Sequence, residues 1–272
     1  RQNTIMNMTK RIRAIFILVV ILAFIVNVTP SYSAAKNRTQ AQNFYRRISK
    51  NRSNNRNDYP SLSDAEFANF REVNTTGIAS GKLYRSSSPI NAWGNRNFIA
   101  DGLSQEHGIK SFINLVDSNE GMRSYKGFAQ TYYSGQAAIA LNMNLKFLSK
   151  DFQNKVARGV KFIARNEPPF LIHCNLGKDR TGLFCAIIEA LMGATPDEIS
   201  EDYATSFYNY FGVKLYSSDY YFVVNNEIRP FLASILGVKD IDNVNLPAAA
   251  ERYLLRVGVS AEEIKSIRAK LG

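Results

Sequence analysis

Ten residues, His173 to Gly182, constrain the fold of this chain more than any other segment, and they read His-Cys-Asn-Leu-Gly-Lys-Asp-Arg-Thr-Gly. The apolar stretch 170–172 precedes them and predicts a short buried strand, and the apolar stretch 183–192 follows and predicts a buried helix. A loop that enters a helix directs free backbone N–H groups and the positive end of the helix dipole at one point, which favours a bound dianion. The segment therefore predicts a strand, an anion-binding loop and a helix in direct succession.

Cys174 and Arg180 give this loop its expected chemistry. The field that favours an anion also favours the thiolate form of Cys174, and a thiolate is the reactive nucleophile. Arg180 follows six positions later, and its planar guanidinium can pair with two phosphate oxygens at once. The pattern indicates a phosphate site with a nucleophile at its centre.

Strand and helix patterns alternate around this loop. Strands are predicted at 81–89 and 110–116, and helices at 97–106 and 152–164. This alternation predicts an α/β domain with a largely parallel sheet flanked by helices, in which functional groups gather at the carboxyl ends of the strands. Asp117 and Cys174 both follow such ends.

Further helices are predicted after the central one. Thr195 with Glu198, and Ser260 with Glu263, have the order of capping boxes and predict two helix starts. The aromatic-rich stretch 203–222 could be a wall of the substrate site, but aromatic side chains at this density are more often core, which is the interpretation we favour.

The basic charge of the chain is concentrated near its N-terminus. The 272 residues carry a net charge of +11, yet residues 1–60 hold 11 Lys and Arg against one acidic residue, which leaves 23 basic and 22 acidic residues in 61–272. Generic nucleic-acid binding is therefore not expected. Two cysteines cannot form a disulfide framework, and two histidines without paired cysteines predict no zinc site and no cofactor.

Residues 1–34 have the order of a secretory signal peptide. Lys10, Arg11 and Arg13 precede an apolar stretch at 14–26, and small residues follow, which predicts cleavage between Ser33 and Ala35 and export from the cell. The alternative is a retained membrane anchor, although 13 apolar residues fall short of the roughly 20 that a spanning helix needs.

Two further segments are predicted after the signal peptide. Residues 35–59 are basic and rich in Asn, and they predict a disordered linker that is either a soluble tether or attracted to anionic surfaces. Residues 60–272 are expected to form the catalytic domain.

The central segment resembles the signature of the protein tyrosine phosphatase superfamily, His-Cys-x5-Arg-Ser/Thr, and its Gly-Lys-Asp-Arg portion is similar to a bacterial branch of tyrosine phosphatases. The similarity extends to 83–89 and 250–271. It implies the cysteine-phosphatase fold and a metal-free reaction in which Cys174 attacks phosphorus and becomes a phosphocysteine. In that scheme His173 orients the loop and Thr181 bonds to the sulfur. The implied phosphate-binding residues are Asn175, Leu176, Gly177, Lys178, Asp179 and Arg180.

The resemblance also implies a general acid, which protonates the leaving oxygen. Many dual-specificity members carry it about thirty residues before the cysteine, where this chain has Asn142 and Asn144. In the bacterial branch an acid follows the earlier strand, which matches Asp117. Asp179 and Asp151 are alternatives, and Asp117 would also suit a turn cap.

Three functions are consistent with these residues. The leading hypothesis is an exported bacterial phosphatase for phosphotyrosine, with or without dual specificity. The second is a phosphatase for phosphoinositides or inositol phosphates, motivated by the extra charge of Lys178. The third is a phosphate-binding module with little catalysis. Cys185, on the apolar helix, is predicted to be core or a reserve thiol that protects Cys174 from oxidation.

Overall fold

A single five-stranded sheet carries the cysteine loop. The computed structural model describes the backbone of residues 32–272 and the side chains of residues 39–272. Within that range the strands are β1 Arg71–Glu72, β2 Leu83–Ser86, β3 Ser111–Asn114, β4 Ala137–Ala140 and β5 Phe170–His173, in the spatial order β1-β2-β5-β3-β4.

Strand β5 lies at the centre of this sheet and is parallel to both neighbours. His173, its last residue, is opposite Ser86 of β2 on one side and Asn114 of β3 on the other. Strand β4 is also parallel, and only the edge strand β1 is antiparallel. The carboxyl ends of β2, β5 and β3 therefore meet at one edge, and the predicted, largely parallel α/β sheet is confirmed.

Helices cover the sheet, as parallel strands require. All residues of β2, β3 and β5 are buried, and so are ten consecutive residues of the helix that follows β5, from Gly182 to Leu191. The helices are α1 Tyr32–Ile48, α2 Asp64–Phe67, α3 Asn97–Glu106, α4 Asn119–Arg123, α5 Lys150–Arg165, α6 Asp179–Met192, α7 Pro196–Phe211, α8 Ser218–Val223, α9 Arg229–Leu236, α10 Leu246–Arg256 and α11 Ala261–Leu271.

The elements around the loop agree closely with the sequence patterns, since α3, α5, β2, β3 and β5 all lie where they were predicted. Strands β1 and β4 were missed. β1 has only two residues, and three of the four residues of β4 are alanine, which has low strand propensity. Pairing with β2 and β3 overrides these weak local preferences.

The C-terminal half confirms both capping boxes, with Thr195 and Glu198 at the start of α7 and Ser260 and Glu263 at the start of α11. The aromatic stretch is mostly core, because Tyr203, Phe207, Tyr210, Phe211 and Tyr220 are buried. The core interpretation is wrong for three tyrosines of this stretch. Tyr208, Tyr216 and Tyr221 are 39%, 59% and 50% exposed.

The described residues fall into two compact units that divide between Arg52 and Ser53. The signal peptide falls almost wholly on residues outside the described ones. At 35–59, where we expected a disordered linker, the structure instead has most of α1 and short turns at Ser49–Asn51 and Arg56–Asp58. Residues 32–48 contain neither Gly nor Pro and include three alanines, a composition that helices tolerate. None of the helices in 32–272 combines the length and apolar character needed to cross a membrane.

Candidate active site

The loop after β5 is held tightly against the end of β2. Cys174 is 4% exposed, and α6 begins five residues later at Asp179. Gly177 has a φ of +65°, and a Cβ at this position would lie 2.1 Å from the carbonyl oxygen of Ser86. Only glycine fits this backbone and this approach, so the glycine of the motif is explained by the neighbouring strand.

The carbonyl groups of the loop point outward and are bonded to the surrounding protein. The carbonyl of Asn175 accepts from Ser88 N at 3.1 Å. The remaining bonds join Leu176 O to Asn69 Nδ2 (2.9 Å) and Tyr210 Oη (2.9 Å), and Gly177 O to Asn69 Nδ2 (3.2 Å) and Arg85 Nη2 (2.8 Å).

The backbone N–H groups of the loop face the other way. In a trans peptide unit the C=O and the following N–H point in opposite directions, so outward carbonyls leave the N–H groups directed inward. Within the described part of the chain, the N–H groups of Cys174, Asn175, Leu176 and Gly177 have no protein acceptor. This arrangement is an anion cradle at the start of α6, where the helix dipole adds to it.

His173 is buried directly before the cysteine. Its Nε2 lies 3.3 Å from the hydroxyl oxygen of the buried Tyr133, within hydrogen-bond distance. Burial lowers the pKa of His173 to about 4, although the carboxylate of Asp117 and the backbone of Cys174 act in the opposite direction. A neutral imidazole at physiological pH suits the orienting role predicted for His173 better than a role as a cationic partner.

Arg180 occupies the first turn of α6 and is half-buried. Its Nη1 donates to the carbonyl of Met143 at 3.1 Å. Met143 belongs to the loop after β4, which is bonded to the loop after β3 by Met143 N to Leu115 O and Asn142 N to Asp117 O, both 2.8 Å. The predicted arginine thus lies where three loops at the carboxyl edge of the sheet converge.

Asp117 lies in one of these loops, three residues beyond β3, and it is half-buried. Its Oδ2 accepts from Asn114 Nδ2 at 2.9 Å and its Oδ1 accepts from Tyr125 Oη at 2.8 Å. Its N–H donates to Asn114 Oδ1 at 3.0 Å. The side chain is therefore oriented from two sides at the same edge of the sheet as Cys174.

The two alternative acids have other partners. Asp179, at the start of α6, pairs with the ammonium group of Lys178. Asp151, in the first turn of α5, pairs with Lys155 at 2.9 Å and accepts from Asn144 at 2.9 Å, with its side chain 49% exposed. Neither arrangement resembles the two-sided support of Asp117.

Thr181 and Cys185 lie on the buried side of α6. The Thr181 hydroxyl is buried, and among residues 39–272 it has no hydrogen-bond partner, so its predicted bond to the sulfur of Cys174 is not formed in this structure. Cys185 is fully buried, and burial raises the pKa of its thiol well above the ordinary range. A packing role fits this environment.

Sequence reasoning missed the groups behind the loop. Asn69, Arg85, Tyr210 and Asp202 contact the loop or support the residues that do. Arg85 had a visible signal, because a charged residue stands inside a segment that the sequence predicts as a strand. Asn69 and Asp202 had no such signal, and Tyr210 belongs to the aromatic stretch 203–222, which did not indicate a contact with the loop. Among the described residues, no group of three His, Cys, Asp or Glu side chains is placed to share a metal ion.

This chain is similar to known proteins. One solved structure with similarity is the core catalytic domain of the PP-IP phosphatase SIW14 from S. cerevisiae in complex with citrate, at 22% identity over 58% of this chain and 83% of that one, with a TM-score of 0.37. That likeness is too low to indicate a substrate. No curated protein matches the chain. The model of the tyrosine phosphatase family matches residues 65–272, and the chain, with its cysteine loop, belongs to that family.

Proposed function

We propose that the protein hydrolyses phosphotyrosine phosphomonoesters through a phosphocysteine intermediate. The observation that carries this proposal is the loop itself, in which outward carbonyls leave inward N–H groups around Cys174 at the start of α6. Such preorganised donors stabilise charge on a transferring phosphoryl group. The guanidinium of Arg180, at the edge of the same loop, supplies the paired donors for phosphoryl oxygens.

The reaction has two displacements. The thiolate of Cys174 attacks phosphorus, the S–P bond forms as the O–P bond breaks, and the departing phenolic oxygen takes a proton from Asp117. Water then attacks the phosphocysteine, the S–P bond breaks, and Asp117 takes back a proton from that water as inorganic phosphate leaves. Atoms and charge balance without a further reactant. Neutral His173 keeps the loop in place throughout.

Lys178 is the residue that motivated the inositol phosphate and phosphoinositide alternative. Its side chain is 7% exposed and pairs with Asp179, and its ammonium lies 4.2 Å from the centre of the Phe207 ring. In this conformation the charge of Lys178 is directed at protein groups, so it does not favour a substrate with several phosphates. This observation is why phosphotyrosine remains the leading proposal.

One set of assays separates the three hypotheses. Initial rates of the wild type and Cys174→Ser are compared on phosphotyrosyl peptides, phosphoinositides and inositol hexakisphosphate. We expect release of inorganic phosphate from the peptides and at least a thousandfold loss in Cys174→Ser, because the nucleophile is removed. Faster turnover of either inositol substrate would favour the alternative. Phosphate binding without any turnover would favour the binding module.

We also propose that the protein acts outside the cell, on the basis of the basic and apolar order of residues 10–26. The test is mass spectrometry of the N-terminus after expression in a bacterium with an intact secretion system. A mature end close to Ala35 would support export with cleavage. Retention of residues 10–26 in the membrane fraction would support the anchor instead.

A further inference from the structure

Arg85 is an unusual residue for the second strand of a sheet, since it is fully buried. It lies opposite Ile172 of β5, next to the strand that ends at the cysteine loop. A charged side chain is expensive to bury and persists only with partners. The partners of Arg85 therefore show what its charge is used for.

One side of the guanidinium faces the loop. Nη2 of Arg85 donates to the carbonyl of Gly177 at 2.8 Å and to that of Lys178 at 3.4 Å. These two carbonyls belong to the same planar peptide units as the N–H groups of Lys178 and Asp179. Holding the carbonyls outward therefore aims those two N–H groups toward the anion cradle.

The other side of the guanidinium faces α7. Nη1 of Arg85 is paired with Asp202, whose other carboxylate oxygen accepts from Arg71 Nε at 2.8 Å. Burial alone would raise the pKa of Asp202, but the two guanidinium groups hold it below its ordinary value. The ionised carboxylate of Asp202 thus fixes the position of Arg85.

Arg71 reaches the loop by a second route. Its Nη1 donates to Asn69 Oδ1 at 2.7 Å, and Asn69 Nδ2 donates to the carbonyls of Leu176 and Gly177. Glu189 of α6 is also buried. Burial raises the pKa of Glu189 well above its ordinary value, and the negative charge of Asp202 raises it further. The guanidinium groups of Arg71 and Arg85 thus share the carboxylate of Asp202 behind the loop.

We propose that Arg85, held by Asp202, is a positioning residue of the catalytic loop, orienting its N–H groups and placing positive charge behind the bound phosphate. Neither residue touches the substrate, so they act through the loop. A helix of the C-terminal half thereby controls the nucleophile in the loop after β5. A test by turnover of a phosphate ester rests on the proposed function, whereas a test by binding of inorganic phosphate does not.

The test compares Arg85→Lys, Arg85→Gln and Asp202→Asn with the wild type. Lysine keeps the charge but cannot bridge the loop carbonyl and Asp202 with a rigid fork. We expect phosphate affinity to fall about tenfold in Arg85→Lys and about a hundredfold in Arg85→Gln, because misplaced loop N–H groups weaken their hydrogen bonds to the anion, and one such bond to a charged group is worth about tenfold to a hundredfold. Asp202→Asn keeps the shape and an acceptor, and we expect a smaller loss of roughly threefold to tenfold.

Two readouts are independent of any organic substrate. The first is protection of Cys174 from iodoacetamide by inorganic phosphate, followed by mass spectrometry. The second is the pH profile of that alkylation, which should move to higher pH in the Arg85 variants because the thiolate loses support. Buried Cys185 serves as an internal unreactive thiol. Turnover of p-nitrophenyl phosphate is measured in parallel.

Arg229→Lys is the matched control. Arg229 also forms ion pairs with α7, through Asp197, and with Asp242 at 2.7 Å, but it makes no contact with the loop. We expect its phosphate protection and alkylation profile to equal those of the wild type. Thermal unfolding of every variant shows which ones are folded.

The proposal would be overturned by a folded Arg85→Lys protein whose phosphate affinity stays within twofold of the wild type and whose alkylation has the same pH dependence. This holds even if its melting temperature falls. If both Arg85 variants fail to fold, the deciding variant is Asp202→Asn. Phosphate affinity and alkylation equal to those of the wild type in that variant would overturn the proposal. A wild type that binds phosphate but releases none from any ester refutes the proposed function alone, because the binding of inorganic phosphate still reports on Arg85.

Discussion

Replacement of Asp117 by asparagine tests the reaction most directly. Both carboxylate oxygens of Asp117 accept hydrogen bonds, from Asn114 Nδ2 at 2.9 Å and from Tyr125 Oη at 2.8 Å. An amide with its oxygen toward Asn114 and its NH₂ toward Tyr125 keeps both bonds, because the tyrosine hydroxyl can turn and accept. The change therefore removes the transferable proton and leaves the geometry in place.

The expected loss of catalytic efficiency follows because the substitution removes the proton and keeps the geometry. General acid catalysis is worth about a hundredfold to ten-thousandfold, which corresponds to roughly 3–5 kcal/mol of activation free energy. We expect kcat/KM of Asp117→Asn for phenyl phosphate to fall within this range. For p-nitrophenyl phosphate, whose leaving group is a stronger acid and needs the proton less, we expect a loss below about tenfold.

Two controls accompany the assay. Asp151→Asn removes an alternative acid that is 49% exposed on its side chain and paired with Lys155, and we expect equal, small effects on both substrates. Tyr125→Phe removes one bond to Asp117, and a loss of about threefold to tenfold is expected from one hydrogen bond. An Asp117→Asn protein that loses the same factor on both substrates, or none on either, would refute Asp117 as the acid.

The remaining predictions concern the loop and a buried carboxyl. Gly177→Ala should abolish activity, since a Cβ would lie 2.1 Å from Ser86 O, and circular dichroism will distinguish a displaced loop from an unfolded protein. Lys178→Met should lower kcat/KM for phosphotyrosyl peptide and inositol hexakisphosphate by similar factors, because its charge pairs with Asp179; a selective loss on the inositol substrate would contradict this. Glu227, which accepts from Tyr203 Oη at 2.9 Å, has its pKa raised by burial from 4.5 to about 8. The stabilising contribution of Glu227 is full below pH 4.5 and is lost as the pH rises toward 8. Urea titrations should therefore show Glu227→Gln gaining stability relative to the wild type by about 1.4 kcal/mol per pH unit across that window. A pH-independent difference would be inconsistent with a buried neutral Glu227.

The local parts of the site were predictable because the sequence carries them in contiguous patterns. His173 to Gly182 lie between an apolar strand and an apolar helix, and the structure places them at the end of β5 and the start of α6. The starts of helices α7 and α11 were predictable because Thr195 and Ser260 are each followed three residues later by a glutamate that completes a capping box. Strand β4 was not predictable, because its alanine-rich residues gain strand geometry only by pairing with β3.

The order and composition of residues determined the nucleophile, the arginine at the end of the loop and the alternation of strands and helices, since each depends on neighbours within a few positions. Only the tertiary structure decided which groups hold the loop open for an anion. Asn69, Arg85, Asp202 and Tyr210 lie in segments far apart in the chain and meet at a common position behind Gly177. Long-range packing brings them together, and no local pattern records it.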